Sequence, residues 1–190
     1  ARYTGGEYNE VVKDKRTVDV RYALCFPDTY EIGMSNLGCR VLYGVMNEQP
    51  DIWCERCFAP WGDMEEAMRR EEILLYGLES GDPIADFDII GFSLGYEMAY
   101  TNVLNMLDLA GLPLRSGERS GLTPLVVAGG TCCYNPEPLA PFVDLFVLGE
   151  GEEVTMEYIQ LYRQARDEGW SKEEFLLEAA QIPGVYIPSL

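Results

Sequence analysis

The chain is predicted to fold as an α/β domain, a doubly wound, mostly parallel sheet of five to six strands with helices on both faces. Three observations predict it. Short runs rich in Val, Ile and Leu recur along the chain and alternate with stretches of helical periodicity. The runs are continuous rather than alternating, which is the pattern of strands buried on both faces. Two of them, residues 125–128 and 145–148, stop on glycine, at Gly129-Gly130 and at Gly149-Glu150-Gly151-Glu152. Glycine at a strand's end lets the backbone turn sharply or approach a ligand closely. Ligands of open α/β sheets sit at the carboxyl ends of the strands, so these two loops are expected to line one crevice.

Each element follows from its own pattern. Residues 1–17 carry Gly5-Gly6 and mixed charges without a period, and read as an irregular leader. Residues 18–26 are apolar and β-prone, and Pro27 ends this first strand. Residues 28–35 read as a loop, with Ser35 or Asn36 able to cap the next helix. Leu37, Val41, Leu42, Val45 and Met46 then recur at helical spacing. Residues 52–58 read as a second strand, ended by Pro60. Asp63 is expected to cap a helix running through Met64, Ala67, Met68 and Arg69. Residues 74–78 read as a short strand, followed by a turn at Gly81-Asp82-Pro83. Residues 87–94 form a central strand, and residues 98–109 a helix stopped by Gly111. After the two glycine-ended strands come a helix over 152–167 that opens on acidic residues, as the helix dipole favours, and a shorter one over 172–181 capped by Ser171. Residues 182–188 read as extended. The α/β domain is thus placed at 18–168, with 169–190 a helix and connector.

Composition narrows the function. At 190 residues the chain fits one domain with a sizeable core. Net charge is −18, from 14 basic and 32 acidic residues. Phosphate backbones attract Lys and Arg, so neither nucleic acid nor an acidic membrane surface is an expected partner. No apolar run approaches the ~18–20 residues of a membrane span, and no export signal opens the chain; a cytoplasmic location is expected. The chain contains no histidine, which excludes a His-based catalytic triad and an imidazole-ligated metal. Among the six cysteines, Cys54 and Cys57 lie three apart on a predicted strand, on opposite faces, so packing is favoured over a shared metal. Cys132 and Cys133 fall in the expected ligand loop. No G-x-G-x-x-G or P-loop follows the first strand, which argues against a nucleotide or flavin binder.

The loop after the first strand reads Asp28-Thr29-Tyr30-Glu31-Ile32-Gly33. It resembles the D-x-H-x-x-G segment of Rossmann-like cobalamin-binding domains, with Asp28 and Gly33 matching and Tyr30 in the place of the histidine. Ser93-Leu94-Gly95 after the central strand and Gly129-Gly130-Thr131 after the next one also match that pattern. The ordered set Gly129-Gly130, Pro136-Glu137-Pro138 and Gly149-Glu150-Gly151-Glu152 resembles the N-terminal domains of B12-binding-type radical SAM proteins. The flanking segments RYTGGEYN, FPDTYEIGMSNLG, FAPWGDME, FSLGYEMAYTNVLNMLDLAG and IPGVYIPS extend the likeness over nearly the whole chain.

The resemblance implies a Rossmann-like, flavodoxin-like cobalamin-binding architecture. It implies cobalamin held along Asp28, Tyr30, Gly33, Ser93, Leu94, Gly95, Gly129, Gly130, Thr131, Gly149, Glu150 and Gly151, without an imidazole from this chain. Tyr30 would lie under the corrin ring or simply close its loop. The cluster motif C-x-x-x-C-x-x-C is absent from the sequence. The [4Fe-4S] cluster, S-adenosylmethionine and the catalysis are therefore assigned by the resemblance to a C-terminal radical SAM domain of the same polypeptide, with no catalytic residue in this chain. A domain of the same fold that binds no cofactor and serves as a docking module is the competing expectation.

Overall fold

The computed structural model describes residues 2–190; Ala1, the first residue of the expected leader, lies outside the described residues. Six strands form one sheet in the order β2-β1-β3-β4-β5-β6. They are β1 (Val20–Phe26), β2 (Ile52–Phe58), β3 (Ile89–Ser93), β4 (Leu125–Gly129), β5 (Leu145–Val147) and β6 (Val185–Tyr186). All neighbours pair parallel except β5 and β6, which are antiparallel.

Both faces of the sheet are buried. On one face Tyr22, Leu24, Ile52, Cys54, Ile89, Val127 and Leu145 pack against α2 (Leu37–Glu48), α5 (Gly151–Glu168) and α6 (Lys172–Ala179). On the other, Ala23, Cys25, Cys57, Ile90, Phe92, Val126 and Phe146 pack against α3 (Gly62–Arg70) and α4 (Tyr100–Leu109). This double burial is why β3, β4 and β5 read without a charged residue, whereas β1 carries Arg21 and the outer strand β2 carries Glu55-Arg56. The pleat also separates Cys54 from Cys57, one in each core.

Local chemistry fixes the helix ends. Asn36 caps α2 by accepting from Cys39 N at 2.9 Å. Ser171 and Glu174 form a capping box on α6. Gly169, with φ +71°, ends α5 in the left-handed conformation that glycine adopts freely.

Four expectations need correction. Residues 30–35 are not loop but a short helix, α1 (Tyr30–Ser35). Residues 74–78 are not a sheet strand: Tyr76 makes one antiparallel bridge to Pro83, and a proline without an N–H cannot extend such a ladder. Asp63 does not cap α3, because Trp61 occupies that position and Asp63 falls in the first turn. The helix expected from residue 98 begins at Tyr100, after a 3₁₀ turn over Glu97–Ala99.

The leader wraps the outer strand. Val11 N donates to Tyr43 Oη at 2.7 Å and Val11 O accepts from Trp53 Nε1 at 2.9 Å. Lys13 Nζ donates to Asn47 O and Gln49 O, closing the carboxyl end of α2.

Candidate functional site

Because β1, β3, β4 and β5 run parallel, the loops that follow them emerge on one edge of the sheet. The strand order reverses between β1 and β3, the place where open α/β sheets form a crevice. Tyr96 Oη donates to Asp28 Oδ2 there at 2.7 Å, and Asp28 Oδ1 accepts from Thr29 N at 2.7 Å.

Beside it a slot of about 170 Å³ opens between the sheet and helices α2 and α5. Ser93, Gly129, Gly130, Gly149 and Gly151 line it, with Gly38 and Leu42 of α2 and Glu152 and Thr155 of α5. Its inner end is a pair of phenols: Tyr22 Oη and Tyr158 Oη lie 2.9 Å apart, both buried. The Tyr22 hydroxyl sits 1.8 Å from where a Cβ on Gly91 would stand, so β3 must carry glycine at that point for Tyr22 to lie across it. Burial pushes the Tyr158 phenol up to about 12 and the Tyr22 phenol well above its ordinary value. Both are therefore protonated at neutral pH, and the pair offers a hydrogen to an acceptor. Glu152 is the carboxylate in the lining, and no Lys or Arg lines the slot.

The glycines differ in what they do. Gly129 leaves room: a Cβ there would meet Val147 at an ordinary 3.7 Å. Gly130 has φ +108°, and a Cβ would come 2.5 Å from Leu94 O, so its role is backbone geometry. Gly149 has φ +111° with nothing within 4 Å of a Cβ.

The other candidates lie off the slot. Tyr30 packs edge-on against Phe58, ring centroids 5.6 Å apart, and its hydroxyl bonds Glu7 of the leader. Burial and Glu7 push that phenol up to about 12. Gly33 is buried under the Phe58 ring, 2.2 Å from a Cβ position. Leu94 belongs to the opposite core, and its N–H donates to Gly129 O at 2.7 Å. Gly95 O accepts from Thr131 Oγ1 at 3.3 Å. Glu150 is exposed just before α5. Sequence reasoning missed Tyr22, Tyr158, Thr155 and Gly38; Gly91, a glycine inside a strand, was the signal of a close approach. Among the described residues no group of three or more His, Cys, Asp or Glu could hold a metal ion.

Fold and edge together define a doubly wound α/β domain with a slot at the carboxyl edge of its sheet. Residues 38–188 match the family of N-terminal regions of radical SAM proteins, and the chain belongs to that family. It is 26% identical over 140 residues to an uncharacterised protein of Methanocaldococcus jannaschii, a match covering 72% of this chain and 26% of that protein. Among solved structures it is similar to the radical S-adenosylmethionine methyltransferase TsrM of Kitasatospora setae, solved with a tryptophan substrate and a SAM analogue bound. That likeness has a TM-score of 0.54 at 17% identity and covers 89% of this chain and 28% of TsrM; it bears on the fold. The chain spans about a quarter of the length of each of these proteins. No helix among the described residues is long and apolar enough to cross a membrane.

Proposed function

We propose that this domain is the cobalamin-holding N-terminal module of a radical SAM enzyme. It takes the cofactor's nucleotide tail into the slot and offers the corrin, at the carboxyl edge, to a catalytic domain of the same polypeptide. The observation that carries this reading is the slot beside Gly129, where the walls leave about 170 Å³ free. Sites for whole organic ligands run to about 300–1,000 Å³, so this slot suits one flat ring system entering edge-on. Leu24, Leu42, Val127 and Val147 supply apolar walls for such a ring. The Tyr22–Tyr158 pair supplies a donor at the inner end for a ring nitrogen.

Bound there, cobalamin supplies a redox-active cobalt centre. This chain contributes no imidazole to it, having no histidine, and Tyr30 is engaged with Glu7 and Phe58 instead. The chain's own tasks are to seat the tail, to exclude water from it and to present the edge. The iron–sulfur cluster and S-adenosylmethionine belong, in this reading, to the catalytic domain.

Exposed Ile32 of α1, Leu37 at the start of α2, and Met98 and Tyr134 in the turns after β3 and β4 all follow strands that end on the same edge, and favour a second reading, a docking face for another domain without a cofactor. Titration of the full-length protein with hydroxocobalamin, followed by visible absorbance and gel filtration, separates the two. The cobalamin reading expects a shifted corrin spectrum that co-elutes with the protein and is lost in Gly129→Leu. Failure of the wild-type protein to retain corrin would leave the docking reading.

A further inference from the structure

A larger cavity lies on the other side of α2 from the slot. It measures about 550 Å³, within the range of whole small-molecule sites. Its floor is Leu24 and Phe26 of β1 and Phe58 of β2, and its wall is Cys39 and Tyr43 of α2. The leader roofs it from Glu7 to Val11, and that roof is pinned through Val11 to both Tyr43 and Trp53.

The polar groups of the interior are occupied or closed off. Asn47 bonds both the N–H and the C=O of Cys54, at 3.1 and 3.0 Å. Tyr43 Oη accepts from Val11 N, and Glu7 is taken by Tyr30. Arg56 Nε pairs with Glu79 Oε1 at 2.6 Å. Its Nη2 lacks a partner but is closed off, with under 1 Å² accessible. A charged or strongly polar ligand would lose its hydration here and gain nothing for it.

Gly44 points the same way. It sits in the middle of α2, where glycine costs roughly 1 kcal/mol relative to alanine. A Cβ there would meet nothing within 4 Å, so no neighbour in the chain requires the missing side chain. Yet Gly44 lines the cavity, and its bare backbone leaves a flat surface for something to lie against. Tyr8, fully exposed, stands at the mouth.

We propose that this cavity is a second binding site, separate from the slot, for a neutral, mostly apolar, ring-bearing small molecule seated against Gly44 between the leader and β2. Its polar substituents would lie outward, toward Asn9, Arg40 and Glu48 at the rim.

The test is equilibrium dialysis of the full-length protein against N-phenyl-1-naphthylamine, a neutral two-ring probe. The wild-type protein is expected to take up about one equivalent saturably in this cavity. Gly44→Leu fills the cavity and should weaken uptake at least about tenfold, or roughly 1.4 kcal/mol, with an unchanged far-ultraviolet circular dichroism spectrum. Gly129→Leu, which fills the slot, should leave uptake as it is, so the two sites fail independently. A Tyr8→Trp variant serves as a second readout, since its indole at the mouth should transfer excitation to the bound probe. Absence of saturable uptake, uptake by folded Gly44→Leu equal to wild type, or no added energy transfer in Tyr8→Trp would each overturn the proposal.

Discussion

Tyr96 and Asp28 are joined by a 2.7 Å hydrogen bond that ties the loop after β3 to the loop after β1, across the point where the strand order reverses. The phenol donates and the carboxylate accepts, so the Tyr96 hydroxyl is held above its ordinary pKa. The aspartate of the D-x-Y-x-x-G segment is thereby engaged by its own chain. Tyr96→Phe removes the tie. Amide hydrogen exchange over residues 94–99 should then quicken while the thermal midpoint moves little, because both groups lie near the surface. Unchanged exchange would show that the loops are held by other contacts.

The two adjacent glycines should respond oppositely to alanine. Gly129→Ala places a methyl at ordinary contact distance and should cost under about 1 kcal/mol. Gly130→Ala forces a side chain into positive φ, 2.5 Å from Leu94 O, and should cost about 1–3 kcal/mol or more. Urea unfolding of the two variants checks the order.

Asp144 is buried between two cations. Its Oδ1 lies 2.6 Å from Lys172 Nζ and 3.4 Å from Arg119 Nη2, and its Oδ2 accepts from Val126 N at 2.8 Å. Asp144→Ala leaves two buried positive charges without a counter-ion and should cost about 3–5 kcal/mol. Lys172→Met removes one charge and leaves Asp144 with Arg119, and should cost less. Denaturant titration that ranked them the other way would refute this account of the network.

Asp82 gives a pH dependence of known sign. Its hydrogen bond with Lys15, with the Arg21 charge beside it, holds its carboxyl below the ordinary 3.8. A depressed folded pKa means the unfolded chain binds the proton more readily. The contribution is therefore present above about pH 3.8 and fades as pH falls through the lower, folded value. Asp82→Asn should flatten the acid limb of the stability curve in that window and leave its slope near neutral pH unchanged, as read from thermal midpoints across pH.

The thiols should stay unreactive and metal-free in this domain. All six are buried, and burial holds the Cys25 and Cys54 thiols well above their ordinary value and Cys133 up to about 12. Thiolate is the species that binds metal. Reconstitution of this domain with iron and sulfide should give less than about 0.1 cluster per chain by iron and sulfide analysis.

The sheet was legible because the strands β1, β2, β4 and β5 each carry their own signature, a β-prone run stopped by Pro27, Pro60, Gly129 or Gly149, and β3 is apolar up to Ser93. What was not legible depended on tertiary contact. Helix α1 contains Gly33, which lowers helix propensity, yet Phe58 packs where a side chain would stand. The 74–78 run has β-prone residues, but the bridge it makes among the described residues is to a proline. For Tyr30 the motif fixed a position and not a direction; as the first residue of α1 it turns toward Phe58 and the leader. The Tyr22–Tyr158 contact joins residues 136 positions apart, and only Gly91 hinted at it.

The strand order has a consequence for biosynthesis. Of these six strands β1 is made first, and it lies inside the sheet, with β2 and β3 paired on its two sides. Every later strand then joins the one made just before it, β4 on β3, β5 on β4 and β6 on β5. Chains leave the ribosome at about 5–20 residues per second and fold from the amino terminus. Here each newly emerged strand meets a free edge that already exists, so no strand has to be inserted between two others. These six strands can be assembled in the order of translation, outward in one direction after β2, with the short antiparallel β6 the last of the six to join.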